Sequence, residues 1–376
     1  MEPSIYSFSL YTALPLMLFF GFYFLFAKTP EKKIFKNYLR SRQIMGIAML
    51  LLSANYSVHF FFGIRFKNAD SAILMNMSTY FLCYSLFSSA LIMLLDRFYI
   101  TKRRVWTHII LWIIFSTLSG VVLFLLPSGI MQKFSLFALA VWLVVFGVVL
   151  ARRVIIAYRR AIRIFNETQA DDIGAYIEWL SIFTYWALIF GVGCGLLTFL
   201  PDEYVFIWIL SSIPFYSYLF YSYQNYLLFY EQVENAFEQD IQSEEELLTD
   251  TETEPEIVSE KEVPVSYTEI IEKVANWIKT DGYVQQGLTI KELSKILYTN
   301  RTYLSAYIKT TYKMTFREWI TSLRLEYAKN ILKEHPEINI QKLAESSGFL
   351  SRSNFIKLFT EKEGCTPAKW KKANLK

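Results

Sequence analysis

The sequence predicts an all-α chain: a seven-helix transmembrane bundle followed by a small all-helical domain of two helix-turn-helix units. Three observations carry that expectation. Residues 1–230 contain seven apolar stretches close to membrane length. Residues 231–264 are a run of acids. Residues 265–376 twice repeat a short helix with apolar spacing, a tight break, and a second helix carrying small polar and basic side chains.

Composition supports the first part. Hydrophobic residues make up 53% of the 376 residues and charged ones 19%, below the roughly 25% of an ordinary soluble domain. The formal charge of +4 hides three regions. Residues 1–230 carry 18 Lys and Arg against 10 acids, residues 231–264 one Lys against 13 acids, and residues 265–376 carry 19 cations against 11 acids. Cys83 and Cys194 lie in apolar segments and Cys365 near the C-terminus, so no disulfide framework or metal spacing is suggested. His59, His108 and His335 are far apart. With no paired carboxylates and no nucleophile–base pair either, neither an enzyme, a metal site nor a cofactor is expected.

A membrane-crossing helix needs about 20 mostly apolar residues. The segments 5–27, 44–64, 72–95, 106–126, 134–151, 178–200 and 204–228 qualify. The first lacks a basic leader and a small-residue cleavage site, which predicts a retained span rather than a signal peptide. Cytoplasmic loops retain Lys and Arg. The first, third and fifth loops hold 15 such residues, whereas Arg65, Lys67 and Lys133 are the only three on the other side. This predicts an outside N-terminus. Seven crossings then deliver residues 265–376 to the cytoplasm, and a six-span reading would export them.

Polar residues within the spans have two readings each. Asn55 and His59 are one helical turn apart and could line a sensor pocket for an unknown signal ligand. The plainer reading is hydrogen bonding between helices. The run Gly191-Val-Gly-Cys-Gly195 lies mid-span and follows no strand, so close helix packing fits it better than a nucleotide loop. The linker 231–264 continues the last span as a helix to about Leu248. Beyond it, acids, Thr, Pro255 and Pro264 predict a disordered tether. A sharper reading has this acidic run compete with DNA phosphates for the basic module.

Helix boundaries are dense in residues 265–376. Thr289 with Glu292, and Thr315 with Glu318, have the capping-box spacing. Asn300, Asn339 and Ser351 are placed to cap the next helices. Gly348 and Gly364 suit helix ends, and Thr366-Pro367 suits a cap followed by proline in the first turn. A helix at about 315–334 joins the two units through Phe316, Trp319, Ile320, Leu323, Leu325, Ala328 and Leu332.

Taken with this pattern, Leu304-Ser305, Arg324, Ala328, Ile331-Leu332, Ile340, Leu343-Ala344, Gly348-Phe349, Ser351, Asn354-Phe355, Phe359 and Gly364-Cys-Thr-Pro367 resemble the AraC/XylS DNA-binding domain. The match covers about residues 270–370. The resemblance implies two recognition helices entering successive major-groove segments, one DNA turn or about 34 Å apart. By resemblance the first would read bases with Arg301, Thr302, Ser305 and Ala306, and the second with Arg352, Ser353, Asn354 and Lys357. Ala306 departs from the arginine often found there, which implies less base specificity from the first helix, or contact with a thymine methyl. Any one of these residues could equally meet a phosphate or water. Lys309, Lys313, Arg317 and Lys362 are candidates for phosphate contact. Leu304, Phe349, Phe355 and Phe359 are expected in the core.

The expected organisation is therefore a seven-span sensor or anchor domain (1–230), an acidic linker (231–264) and a double helix-turn-helix domain (265–376). Together they would form a transcription regulator of the bacterial inner membrane, partnered by promoter DNA and the bilayer. A homodimer and contact with RNA polymerase are compatible with it. The alternative is a membrane receptor or transporter-like protein whose C-terminal helices dock on a protein partner.

Overall fold

The computed structural model describes residues 5–197, 202–250 and 266–374. Among them are fifteen α-helices and no strand, with one antiparallel bridge between Gln169 and Thr289. They form two compact units. One comprises Met1–Arg160 and Ile177–Glu231, the other Ala161–Tyr176 and Gln232–Lys376. The Pro255 and Pro264 stretch of the expected tether lies outside the described residues.

The first unit is built from α1 (Ile5–Phe26), α2 (Lys36–Phe62), the short α3 (Ile64–Lys67), α4 (Ala69–Met93), α5 (Lys102–Phe124), the first part of α6 (Ile130–Thr168), α7 (Glu178–Leu197) and the first part of α8 (Asp202–Asp250). The seven long helices fall on the seven apolar segments. Among the described residues, five stretches are long and apolar enough to cross a membrane: Ile5–Phe26, Lys33–Phe62, Lys102–Phe124, Ile130–Thr168 and Ile173–Gly193. α4, which carries Asp70, Asn76 and several serines, is not among them, and neither is α8.

Small residues let neighbouring helices approach. A Cβ on Gly21 of α1 would fall 2.6 Å from Leu50 Cδ2, and one on Gly46 of α2 would fall 2.9 Å from Leu25 Cγ. Buried polar side chains bond across helices. The Tyr38 hydroxyl donates to the Tyr223 carbonyl at 2.9 Å, and Ser41 Oγ donates to the Ala90 carbonyl at 2.7 Å. Large apolar side chains of α5 and α6, among them Ile110, Ile113, Val141 and Val145, point away from the protein.

The second unit contains the end of α6, the segment to Tyr176, and the C-terminal helices. These are α9 (Ser266–Lys279), a 3-10 turn Gly282–Val284, α10 (Ile290–Ile296), α11 (Arg301–Tyr312), α12 (Phe316–Glu334), α13 (Ile340–Ser346), α14 (Arg352–Glu363) and α15 (Pro367–Asn374). It has two cores. Ile270, Leu288, Leu293, Leu304, Ile308 and Trp319 centre the first, and Leu325, Leu332, Leu343, Phe349, Phe355 and Phe359 the second. The face of α12 is shared between them, which is why one 19-residue helix serves both units.

The caps are those the sequence predicts. Thr289 and Thr315 form complete capping boxes with Glu292 and Glu318, and Asn300, Asn339 and Ser351 each accept a backbone N–H of the helix that follows. Gly348 takes φ +82° beneath Arg324, where a Cβ would lie 2.4 Å from the Val284 carbonyl oxygen, so only glycine fits. Three non-glycine residues among those described are left-handed: Asp281 before the 3-10 turn, Tyr298 in the turn between α10 and α11, and Lys313 at the end of α11.

Two helices are longer than the spans predicted for them. α6 runs on through five arginines to Thr168, which was not expected, and α8 continues to Asp250, close to the expected end at about Leu248. Arg, Gln and Glu favour helix, so charge ends an apolar segment without ending the helix.

Candidate nucleic-acid interface

α11 and α14 each divide into an inward and an outward face. In α11, Leu304, Tyr307 and Ile308 are buried, while Thr302 and Ala306 are exposed and Arg301 and Ser305 half-buried. In α14, Phe355 and Phe359 are buried, Arg352, Ser353 and Lys357 exposed, and Asn354 half-buried. The period of 3.6 residues keeps 301, 302, 305 and 306 together on the first helix and 352, 353 and 357 on the second. Asn300 and Ser351 cap the two helices at 2.7 Å and 3.2 Å, so all eight side chains stand in the first turns of well-started helices. N-terminal turns with outward donors can address base edges and phosphates.

The four cations set apart for phosphate differ in their surroundings. Lys313 and Lys362 are exposed at the ends of α11 and α14. Lys309 Nζ is instead 3.0 Å from Glu167 Oε1, and Arg317 Nη2 is 2.8 Å from Asp172 Oδ2 with Nη1 donating to Asn166 Oδ1 at 3.2 Å. Glu167 is in the last turn of α6 and Asp172 just beyond that helix, a stretch that composition alone does not associate with the C-terminal helices.

Arg324 is the structural residue that sequence reasoning undervalued. It is 1% exposed. Its Nε donates to the Tyr283 carbonyl at 2.8 Å, Nη2 to the Gln285 carbonyl at 2.7 Å, and Nη1 to Asp171 Oδ1 at 2.7 Å. The guanidinium also lies 5.9 Å from the Phe349 ring centroid. It thus ties α12 to the turn before α10 and to the start of the second core. The signal was an arginine inside the apolar stripe Ile320, Arg324, Leu325, Ala328, where a cation requires a buried partner. Asp171, 153 residues away, has no such signal. Lys329 makes a second tie, 3.0 Å from Glu363 at the end of α14 and 2.6 Å from Glu326. Burial acts to lower its pKa, but the bonds and charges of both glutamates outweigh this and hold it above the ordinary lysine value.

Asn55 and His59 are buried at 3% and 6% exposure and bonded to neighbouring helices. Asn55 Nδ2 donates to Thr79 Oγ1 at 3.2 Å; His59 Nε2 lies 2.9 Å from Asn76 Oδ1 and Nδ1 3.3 Å from the Tyr6 hydroxyl. The interhelical role is the one the geometry displays. A cavity of about 100 Å³ in the same unit is lined by others, including Tyr84, Phe87, Ser88, Gly147, Gly191 and Tyr216. Gly191 allows close packing, since its carbonyl accepts the Tyr84 hydroxyl at 2.5 Å and a Cβ there would lie 3.1 Å from that side chain.

Two helix-turn-helix units joined by one long helix, each turning a polar second helix outward, define a double helix-turn-helix domain of the AraC type. Comparison with known proteins agrees. Residues 293–373 match a family described as "Helix-turn-helix domain". The chain is 32% identical over 87 residues to the uncharacterized HTH-type transcriptional regulator YtdP of Bacillus subtilis, covering 23% of this chain and 11% of that protein. It is 25% identical over 103 residues to the uncharacterized HTH-type transcriptional regulator YijO of Escherichia coli, 27% of this chain and 35% of that one. It is 26% identical over 118 residues to the Msm operon regulatory protein of Streptococcus mutans, 30% and 42% of the two chains. The chain thus spans less than half the length of each of these three relatives. No solved structure matches at the significance these relatives reach.

Proposed function

We propose that this protein is a membrane-anchored, sequence-specific transcription regulator, a one-component sensor that couples a signal in or across the bilayer to promoter binding. The observation that carries the reading is the pair of capped helices α11 and α14, whose outward turns present Arg301, Thr302, Ser305 and Ala306 on one and Arg352, Ser353, Asn354 and Lys357 on the other. These residues face the bases of double-stranded DNA, and Lys309, Lys313, Arg317 and Lys362 face its phosphates. The relatives' names as transcriptional regulators support the same reading.

The anchor is supported by five apolar stretches of membrane-crossing length and by the outward Ile and Val side chains of α5 and α6, a surface suited to lipid rather than water. Seven crossings, with basic loops inside, put the N-terminus outside the bacterial inner membrane and the DNA-binding domain in the cytoplasm. A second copy of the chain and RNA polymerase are the partners expected at a promoter.

The test is equilibrium binding of double-stranded DNA by the full-length protein in detergent across a range of salt. Binding that weakens steeply as salt rises, with log K linear in log salt, is expected. Binding of a protein partner with no salt-sensitive affinity for DNA would overturn the reading.

A further inference from the structure

One face of the DNA-binding domain is already occupied by a segment of the same chain. Residues 166–172, at the end of α6 and just beyond it, pack against α10, α11 and α12. The contact has two layers. The inner one is backbone and buried charge. The Ala170 N–H donates to the Leu288 carbonyl at 2.9 Å, the Gly287 N–H donates to Asp171 Oδ2 at 2.7 Å, and Asp171 pairs with Arg324 at side-chain exposures of 6% and 2%. Ala170 itself belongs to the first core. The outer layer is the two pairs Asp172–Arg317 and Glu167–Lys309, with side-chain exposures of 17% and 21%, and 34% and 51%.

The layers differ in how easily they open. A buried, fully bonded ion pair is expensive to break, whereas one nearer solvent, as Glu167–Lys309 is and Asp172–Arg317 is to a lesser degree, is worth less. An incoming polyanion can therefore take Lys309 and Arg317 from their carboxylates while Asp171 stays seated on Arg324.

We propose that segment 166–172 is a built-in partner of the DNA-binding domain that competes with DNA phosphates for Lys309 and Arg317. This rests on the reading of those two cations as phosphate contacts. The segment is continuous with α6 before it and with the turn into α7 after it. A signal that displaces either helix pulls on the segment and so sets how far the two cations are available. The bound anion is thus replaced in kind, carboxylate by phosphate, and the acidic loop tunes affinity without touching a base-reading side chain.

The experiment uses the full-length protein in lipid nanodiscs. Glu167→Gln/Asp172→Asn removes the competing charges and keeps the Asp171 anchor. It is expected to bind double-stranded DNA on the order of fivefold more tightly than wild type at 0.15 M salt, with a log–log salt slope steeper by about 0.9 per freed cation. Adding Lys309→Ala/Arg317→Ala to the same chain should erase the gain. Wild-type affinity and slope in the charge-neutral variant would overturn the competition while leaving the DNA reading intact. If no form binds DNA at any salt, the DNA reading falls and the competition falls with it. Amide exchange then judges docking separately: faster exchange at Gly287 in Asp171→Asn supports the seated segment, and unchanged exchange overturns it.

Discussion

At the scale of single residues, Arg324 and Gly348 hold the C-terminal unit together from opposite sides of one contact. Arg324 is buried with three acceptors, and Gly348 leaves the space in which its Nε lies 2.9 Å from the position of a Cβ. Asp171→Asn would leave the guanidinium with its two carbonyls and no counter-charge. It is expected to destabilise the unit by about 3 kcal/mol, read as faster amide exchange through α10 to α12. Gly348→Ala combines a positive φ with a clash against the Val284 carbonyl, and a loss of about 2–4 kcal/mol is expected from strain and displacement together. It should appear in exchange from both cores, because the glycine sits where they meet. On the outward faces, Arg352→Ala and Asn354→Ala should each reduce preference for a bound sequence by about 1–3 kcal/mol if they meet base edges. An equal loss on random DNA would make them phosphate contacts instead.

At the scale of elements, the helix ends were the part most legible in the sequence. Thr289, Asn300, Thr315, Asn339 and Ser351 each sit where a cap was expected, because a side-chain oxygen just before an apolar-spaced run has few other uses. Thr315→Ala is expected to cost about 1 kcal/mol, measured as fraying of the first turn of α12. Its counterpart Thr289 is 4% exposed beside Gln169, so Thr289→Ala should cost more than Thr315→Ala. The two cores of the C-terminal helices followed from the same spacing. The continuation of α8 was also expected, to about Leu248 against the observed Asp250, but that of α6 was not, because charged residues such as Arg153 and Arg160 propagate a helix as readily as they end a span. Tyr298 and Lys313 were equally invisible, since neither residue type favours the left-handed backbone that each adopts.

At the scale of the whole molecule, the chain combines a strongly apolar helical unit with a double helix-turn-helix unit. Composition alone separates the two. What composition could not reveal is that the segment 161–176 folds with the second unit although both its ends lead into the first. Its ion pairs join residues more than 140 positions apart, and no local pattern encodes such a pairing. The sensor role considered for Asn55 and His59 was ambiguous for a different reason. A histidine within an apolar helix carries the same sequence signature whether it waits for a ligand or bonds to Asn76.

The most direct test of the central claim is selection of bound sequences from a random double-stranded DNA library by the full-length protein in nanodiscs. Two reading helices on one domain predict an enriched motif of two parts, with centres about one helical turn or 10–10.5 base pairs apart. Arg352→Ala/Asn354→Ala should blur only one part, and the four substitutions Arg301→Ala, Thr302→Ala, Ser305→Ala and Ala306→Gly only the other. Recovery of the library unchanged after successive rounds, at salt low enough to retain DNA, would contradict the account.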